Sequence, residues 1–205
     1  GAIPPLLRVV RDGDLVFQAE QPAIAIDGAT VPLPPGAFLQ ASAAAEREMA
    51  RHVTAGVAGA RRIADLYAGL GTFAFPLSRI APVHAVDADP ALARALAAAR
   101  PAAGHRPITT ETRDLAAFPL SAAELDAFDA VVFDPPRGGA EALSSEIARS
   151  RVDRVVAVSC NPATLARDLA LLAAKGFKIT HLAAVDQFVH AAHIEVVATL
   201  RRTET

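Results

Sequence analysis

The chain has 205 residues, 52% hydrophobic and 20% charged, with a formal net charge of −2. That suffices for one well-buried domain plus a small appendage, without the basic excess that marks a nucleic-acid-binding domain. One cysteine excludes an internal disulfide framework and an all-cysteine metal site; no apolar run reaches the roughly 18–20 residues of a membrane span and no secretory signal precedes one, so a cytoplasmic protein with no metal site and no membrane contact is expected.

Residues 1–36 carry short β-type runs, "LLRVV", "DLVFQAE" and "AIAIDGATVPL", broken by turn residues. The "DG" inside the last of these predicts a hairpin. Since the chain opens on Gly1, this β-rich segment reads as the remnant of an upstream domain. "PPGAFLQ" predicts one more extended piece, and the main domain is placed at 37–205. "SAAAEREMARHVTAGVAGA" predicts a helix with Ser42 as N-cap. Strand and helix patterns then alternate. "RIADLYAG" is followed by "TFAFPLSRI", "VHAVDAD" by "PALARALAAARPA", and "ITTETRDL" by a helix ending near Phe128. "DAVVFDPPR" is followed by "AEALSSEIARS", and "DRVVAVSCN" by "PATLARDLALLAAKG" with Gly176 at C′. "FKITHLAAVDQF" and "AAHIEVVATLRR" predict a closing pair of strands. Apolar strands alternating with helices predict an α/β fold of seven strands, mostly parallel, covered by helices on both faces. The last two strands are expected as an antiparallel hairpin at its edge. The arginine groups at 61–62, 149–154 and 201–202 read as solvated helix ends and a charged tail.

Ligands of such sheets bind at the carboxyl ends of strands. The first exit is "DLYAGLGTF", where Gly69 and Gly71 allow a tight turn and close backbone approach. Asp87 follows the glycine turn at the distance suited to a ribose-binding carboxylate. Together they point to an adenosine-type cofactor, and Ala74 at the third site leaves NAD open. Asp114 ends the third strand, as an acceptor for an adenine amino group or as a helix N-cap. Asp134 opens the fourth exit, "DPPRGGA", a carboxylate on a rigid loop or an ordinary rigid turn. Arg137 stands where amino-group methyltransferases place a stacking aromatic, which argues against amino methylation. Cys160 ends the fifth strand where Asn161 and Pro162 open a helix. The helix N-terminus there favours a thiolate nucleophile; the alternative is a buried structural cysteine. Glu195 in "HIEVVATL" is a desolvated base at a strand end or a solvent-facing charge on an edge strand. His181, His190 and His193 form no metal-type spacing and read as surface, packing or substrate-positioning groups.

Taken together, "FLQAS…AEREM", "DLYAGLGTF", "DPPRGGA", "VSCNPATLARDL" and "DQFVHAAHIEVVA" resemble, in order, the motifs of the S-adenosylmethionine-dependent RNA uracil-5 methyltransferases. The resemblance runs from about Phe38 to the C-terminus. It implies a Rossmann-like class I methyltransferase domain and S-adenosyl-L-methionine as cofactor. It implies cofactor contact by Gln40, Tyr67, Thr72, Asp87, Asp114 and Asp134, beside the glycine turn of Gly69 and Gly71, with Cys160 as nucleophile and Glu195 as general base. The implied reaction adds Cys160 to uracil C6, methylates C5 and lets Glu195 remove the C5 proton, in a flipped-out base of tRNA or rRNA. The family's N-terminal RNA-binding β-barrel has no counterpart in this chain, so RNA binding is expected to need an upstream part. A monomer is expected. Ser42, Thr72 and Val189 depart from the family's usual Asn, Asn and Pro. An RNA cytosine-5 methyltransferase, or an inactive methyltransferase-like binding domain, stands as the alternative. The first commonly places a cysteine in the fourth motif, and the chain's single cysteine lies in the fifth; an intact Cys160–Glu195 pair opposes the second.

Overall fold

The computed structural model describes residues 6–12, 14–187 and 194–203. Two antiparallel hairpins open it. Strands β1 (Arg8–Arg11) and β2 (Asp14–Gln18) pair with each other and are almost wholly exposed. Strands β3 (Ala23–Ile26) and β4 (Ala29–Pro32) are joined through Asp27 and Gly28, both at positive φ (48° and 81°). That is the two-residue turn "DG" predicts, its twist matching the strands it joins. This second hairpin is part of the main body: Ile26, Ala29 and Val31 are buried in the same core as the sheet, and Thr30 exchanges backbone hydrogen bonds with Arg100. "PPGAFLQ" forms no strand; its prolines withhold the ladder donors.

Helix α1 (Ala43–Gly56) is N-capped by Ser42, whose Oγ accepts from Ala45 N. Serine and asparagine both serve as N-caps, so the departure at Ser42 keeps this job. There follow β5 (Ile63–Leu66), α2 (Ala74–Ser78), β6 (Val83–Asp87), α3 (Pro90–Ala98), β7 (Ile108–Thr112), α4 (Ala122–Leu125), β8 (Ala130–Phe133), α5 (Glu141–Arg149), β9 (Arg154–Ser159), α6 (Pro162–Ala173), β10 (Phe177–Val185) and β11 (Glu195–Arg202). Seven strands form one sheet in the order β10-β11-β9-β8-β5-β6-β7. Strands β9, β8, β5, β6 and β7 are mutually parallel, and β11 is antiparallel to both β9 and β10. The predicted α/β sheet and its antiparallel closing hairpin are therefore present.

Alternate residues of each strand feed opposite faces, as the pleat demands. Ile63, Val83, Val132 and Val156 pack with Met49 and Val53 of α1 and with Phe75 of α2. Leu66, Val131, Phe133 and Val155 pack with Leu143 and Ile147 of α5 and Leu172 of α6. Both faces are thus covered, which is why the strands read as continuous apolar runs. Elements are shorter than their sequence patterns. "TFAFPLSRI" yields five helical residues around Pro76, and "DAVVFDPPR" stops as strand at Phe133, before its prolines.

The arginine tail needs a correction. Arg202 is no solvated charge: it donates to the carbonyls of Val152 (3.0 Å), Lys175 (2.9 Å), Ile147 (3.2 Å) and Ser150 (2.9 Å). Its guanidinium also lies 4.1 Å from the Phe177 ring centroid. It satisfies carbonyls orphaned at the end of α5, something no local pattern in "LRR" encodes.

Candidate active site

Strand order reverses at β5, between β8 and β6, and a crevice outside the carboxyl ends is expected there. A cleft of about 660 Å³ opens at that place, within the size range of cofactor pockets. Parallel register brings the ends of β5, β6 and β8 level: Leu66 pairs with Val86 on one side and Phe133 on the other. The residues that follow therefore share one rim. Antiparallel β11 delivers its beginning to the same rim. Val196 pairs with Ser159, and Glu195 with Val185, so Glu195 arrives beside the end of β9 and Cys160.

Gln40, Tyr67, Gly69, Thr72, Asp87, Asp114, Asp134, Cys160 and Glu195 all line this cleft. Gly71 is not among the lining residues, and its surroundings are those of a packing position. Its φ is +92°, and a Cβ there would lie 2.8 Å from Leu96 Cδ1 and from Phe75 Cε2. The residue packs the loop onto α2 and α3. Tyr67 holds a positive φ of 62°, rare for a bulky residue and costly enough to need support. It ends β5 abruptly and turns the next residues into the cleft. Burial pushes its phenol up to about 12.

Asp87 receives Gly69 N at 2.8 Å on Oδ2 and Asp89 N at 2.9 Å on Oδ1. These bonds fix the carboxylate at the second exit and tie it to the glycine turn. Asp114 caps a turn, not a helix, and lines the cleft. Its Oδ1 accepts from Ala116 N and Ala117 N. Asp65, missed from the sequence because it sits within an apolar strand, is 1% exposed. Burial, then the carboxylates of Asp134 and Asp87, push its carboxyl well above the usual range. Burial and the neighbouring Glu195 push Asp134 up to about 7. Acidic groups thus cluster here, Asp134 and Glu195 on the cleft lining and Asp65 buried near Asp134 and Asp87.

Cys160 is half-buried and lines the cleft, so it is not the buried structural cysteine of the alternative. The turn that carries it is held by Ser159, whose hydroxyl accepts from Asn161 N (3.1 Å) and donates to Asn161 O (3.2 Å). Asn161 caps α6 by accepting Ala163 N at 3.1 Å. Glu195 is 8% exposed, at the start of an interior strand, which excludes the solvent-facing edge alternative. Gln187, also unforeseen, donates to Glu195 Oε1 at 3.0 Å. Its importance depends on the meeting of two chain segments, invisible along the sequence. Among the histidines, His181 stacks on His52 away from the cleft; His190, His193 and Val189 lie outside the described residues.

The loop 134–140 and helix α6 are clamped together. Arg137 O accepts from Asn161 Nδ2 (3.0 Å) and Thr164 Oγ1 (3.3 Å). Gly138 O accepts from Arg167 Nη2 at 3.0 Å. Buried Asp168 accepts Ala140 N at 2.6 Å on Oδ2 and Arg167 Nε at 2.9 Å on Oδ1. Gly139, at φ +77°, is enclosed by this clamp: a Cβ would lie 2.6 Å from Arg167 Nη2 and 2.7 Å from Asp168 Oδ2. Gly139→Ala is therefore expected to destabilise the fold by about 1–3 kcal/mol, through left-handed backbone strain and overpacking. Urea unfolding at pH 7 checks it; a change under about 0.5 kcal/mol would show that the loop yields freely.

Residues 109–203 match the model of the tRNA (uracil-5-)-methyltransferase family. That stretch is similar to the family. The match takes in the rim residues Asp114, Asp134, Cys160 and Glu195. An uncharacterized RNA methyltransferase of Rhizobium meliloti (strain 1021) is 53% identical over 198 residues, 96% of this chain and 48% of that protein. The 23S rRNA (uracil(1939)-C(5))-methyltransferase RlmD of Chromohalobacter salexigens is 40% identical over 171 residues, 82% of this chain and 35% of that protein. The chain spans about half the length of these and similar curated relatives that it matches. Among solved structures, Pyrococcus abyssi tRNA (uracil-54, C5)-methyltransferase in complex with S-adenosyl-L-homocysteine superposes with a TM-score of 0.75 at 27% identity, over 95% of this chain and 49% of that one. M. jannaschii TYW2 in complex with AdoMet gives 0.64 at 15% identity over 93% of this chain and 90% of that one, a likeness of fold. The uracil-5 resemblance drawn from five motifs is thus upheld, with a class I methyltransferase fold.

Proposed function

We propose that this chain is the catalytic part of an S-adenosylmethionine-dependent RNA methyltransferase that methylates C5 of a uridine in tRNA or rRNA. The convergence of Cys160 and Glu195 on the cleft that also holds Asp87 carries this reading. The cleft fits the cofactor. Asp87, anchored by two backbone donors, offers acceptor oxygens for ribose hydroxyls, and Asp114 keeps Oδ2 for an adenine amino group. Asp134 and Glu195, two acidic side chains on the cleft lining, suit a cation. When bound, S-adenosylmethionine supplies an electrophilic methyl group on a positively charged sulfur.

Uracil C5 is a weak nucleophile. Attack of the Cys160 thiolate on C6 makes C5 enolate-like and able to take a methyl group. Glu195 then accepts the C5 proton, and the C6–sulfur bond breaks to restore the double bond and free Cys160. The target base must leave its stack to meet both side chains. The net charge of −2 supplies little phosphate grip, so the other half of the protein is proposed to bind the RNA. The reading is tested by mass mapping of 5-methyluridine in tRNA and rRNA from cells lacking the full-length protein. Loss of one methyluridine supports it; an unchanged uridine map with a lost 5-methylcytidine overturns it.

Asp87→Ala is expected to weaken S-adenosylmethionine binding by about 1–3 kcal/mol, the scale of leaving paired polar groups unmatched. The upper end is favoured because Gly69 N loses its anchor too. Calorimetry reads this directly, and binding of NAD in preference to the methyl donor would sink the cofactor assignment.

A further inference from the structure

Gln187 touches both ends of the chemistry without lining the cleft. Its Nε2 donates to Glu195 Oε1 and to Gln40 Oε1, each at 3.0 Å. It is 8% exposed, and among the described residues its own buried Oε1 has no hydrogen-bond partner. An ionised carboxylate only accepts, so the atom facing ionised Glu195 must be the amide nitrogen. The same nitrogen then requires an acceptor on Gln40. The orientation of two amides is thus dictated by one carboxylate, and Gln40 is left to present its N–H2 group to the cleft it lines.

We propose that Gln187 is a positioning residue that couples the protonation state of Glu195 to the polarity of Gln40. This rests on the reading of Glu195 as the base. With Glu195 ionised, Gln40 offers a donor to an acceptor oxygen of the bound ligand, a carboxylate or a carbonyl. Once Glu195 holds a proton it becomes a donor. The orphaned Oε1 of Gln187 is then the better partner, its amide turns over, and Gln40 turns with it to present a carbonyl. No bond is made or broken in the relay; a donor facing the ligand is replaced by an acceptor after the proton has been taken. Ligand release after turnover is thereby favoured. Among the described residues, Asp134 from the β8 exit faces Glu195, and Cys160 from β9 and Arg137 from the clamped loop line the same cleft.

The test follows the Glu195 carboxyl carbon by NMR across pH, assigned through Glu195→Gln, in wild type, Gln187→Met and Gln40→Met, with and without S-adenosylhomocysteine. Gln187→Met removes a hydrogen bond to the ionised form and should raise the Glu195 midpoint by about one pH unit. By reciprocity, a ligand held by the Gln40 donor lowers that midpoint in wild type, and this lowering should at least halve in either variant. Gln40→Met, which spares the Gln187–Glu195 bond, keeps the ligand comparison available should Gln187→Met fail to fold. Equal midpoints in wild type and Gln187→Met, or an equal ligand-induced shift in all three proteins, overturns the coupling. Neither readout uses RNA, so a failure of the uridine assignment is seen separately, in the methyluridine map.

Discussion

Replacing Cys160 with alanine is expected to lower methyl transfer to RNA by at least about 10³-fold, the scale on which loss of a covalent nucleophile is felt. The full-length protein, its RNA and labelled methyl donor are needed for the measurement. Cofactor affinity should change by less than about twofold, because Asp87, Asp114 and the glycine turn belong to other strands. The fold should hold as well. Cys160 is half-exposed, and the turn around it is fixed by Ser159 and Asn161 rather than by the sulfur. An alanine variant that still transfers methyl groups within tenfold of wild type would show that C5 is activated by other means.

Replacing Glu195 with glutamine should divide the reaction in two. The amide keeps the shape and the position at the start of β11 but cannot take a proton near neutrality. Addition of Cys160 and methyl transfer do not require that base, whereas elimination does. Turnover is expected to fall by about 10²–10⁴-fold, the usual contribution of a general base. A covalent protein–RNA adduct carrying the methyl group should accumulate. It would appear as a slow band on a denaturing gel, labelled from the methyl donor and abolished by Cys160→Ala in the same chain. Normal turnover in the glutamine variant, or no adduct under conditions where wild type methylates, would remove Glu195 from the role, leaving His190 and His193 as the next groups to test. Asp134, which burial and Glu195 push up to about 7, joins them as a further group to test.

The sheet was legible because it is buried on both faces. Strands such as "AVVF" and "RVVAVS" are unbroken apolar runs, and the chain alternates them with helices of clear period. The rim was legible for a related reason. In a parallel sheet the strand exits share one rim, so Asp87, Asp114, Asp134 and Cys160 are found by looking where strand patterns end. Glu195 needed one further inference, that an antiparallel strand brings its beginning to that edge. What stayed hidden depends on contacts between distant segments. Gly71 sits in the same glycine turn as Gly69, yet only the side chains of Leu96 and Phe75 reveal that it serves packing. Gln187 is one amide in a short polar stretch until β10 and β11 are paired. Arg202 has the look of a charged tail until four carbonyls are found around its guanidinium.

The clamp between loop 134–140 and α6 bears on inheritance. Asn161, Thr164, Arg167 and Asp168 reach back to the backbone of Arg137, Gly138 and Ala140 and leave no room beside Gly139. Two stretches that look like separate motifs are thus one mechanical part. A lineage that altered either alone would misplace Asp134 relative to Cys160, so changes in the two should be passed on together. Chimaeras between relatives offer the corresponding design rule: a crossover placed between α5 and β9 splits the part, whereas one placed before β8 moves it whole.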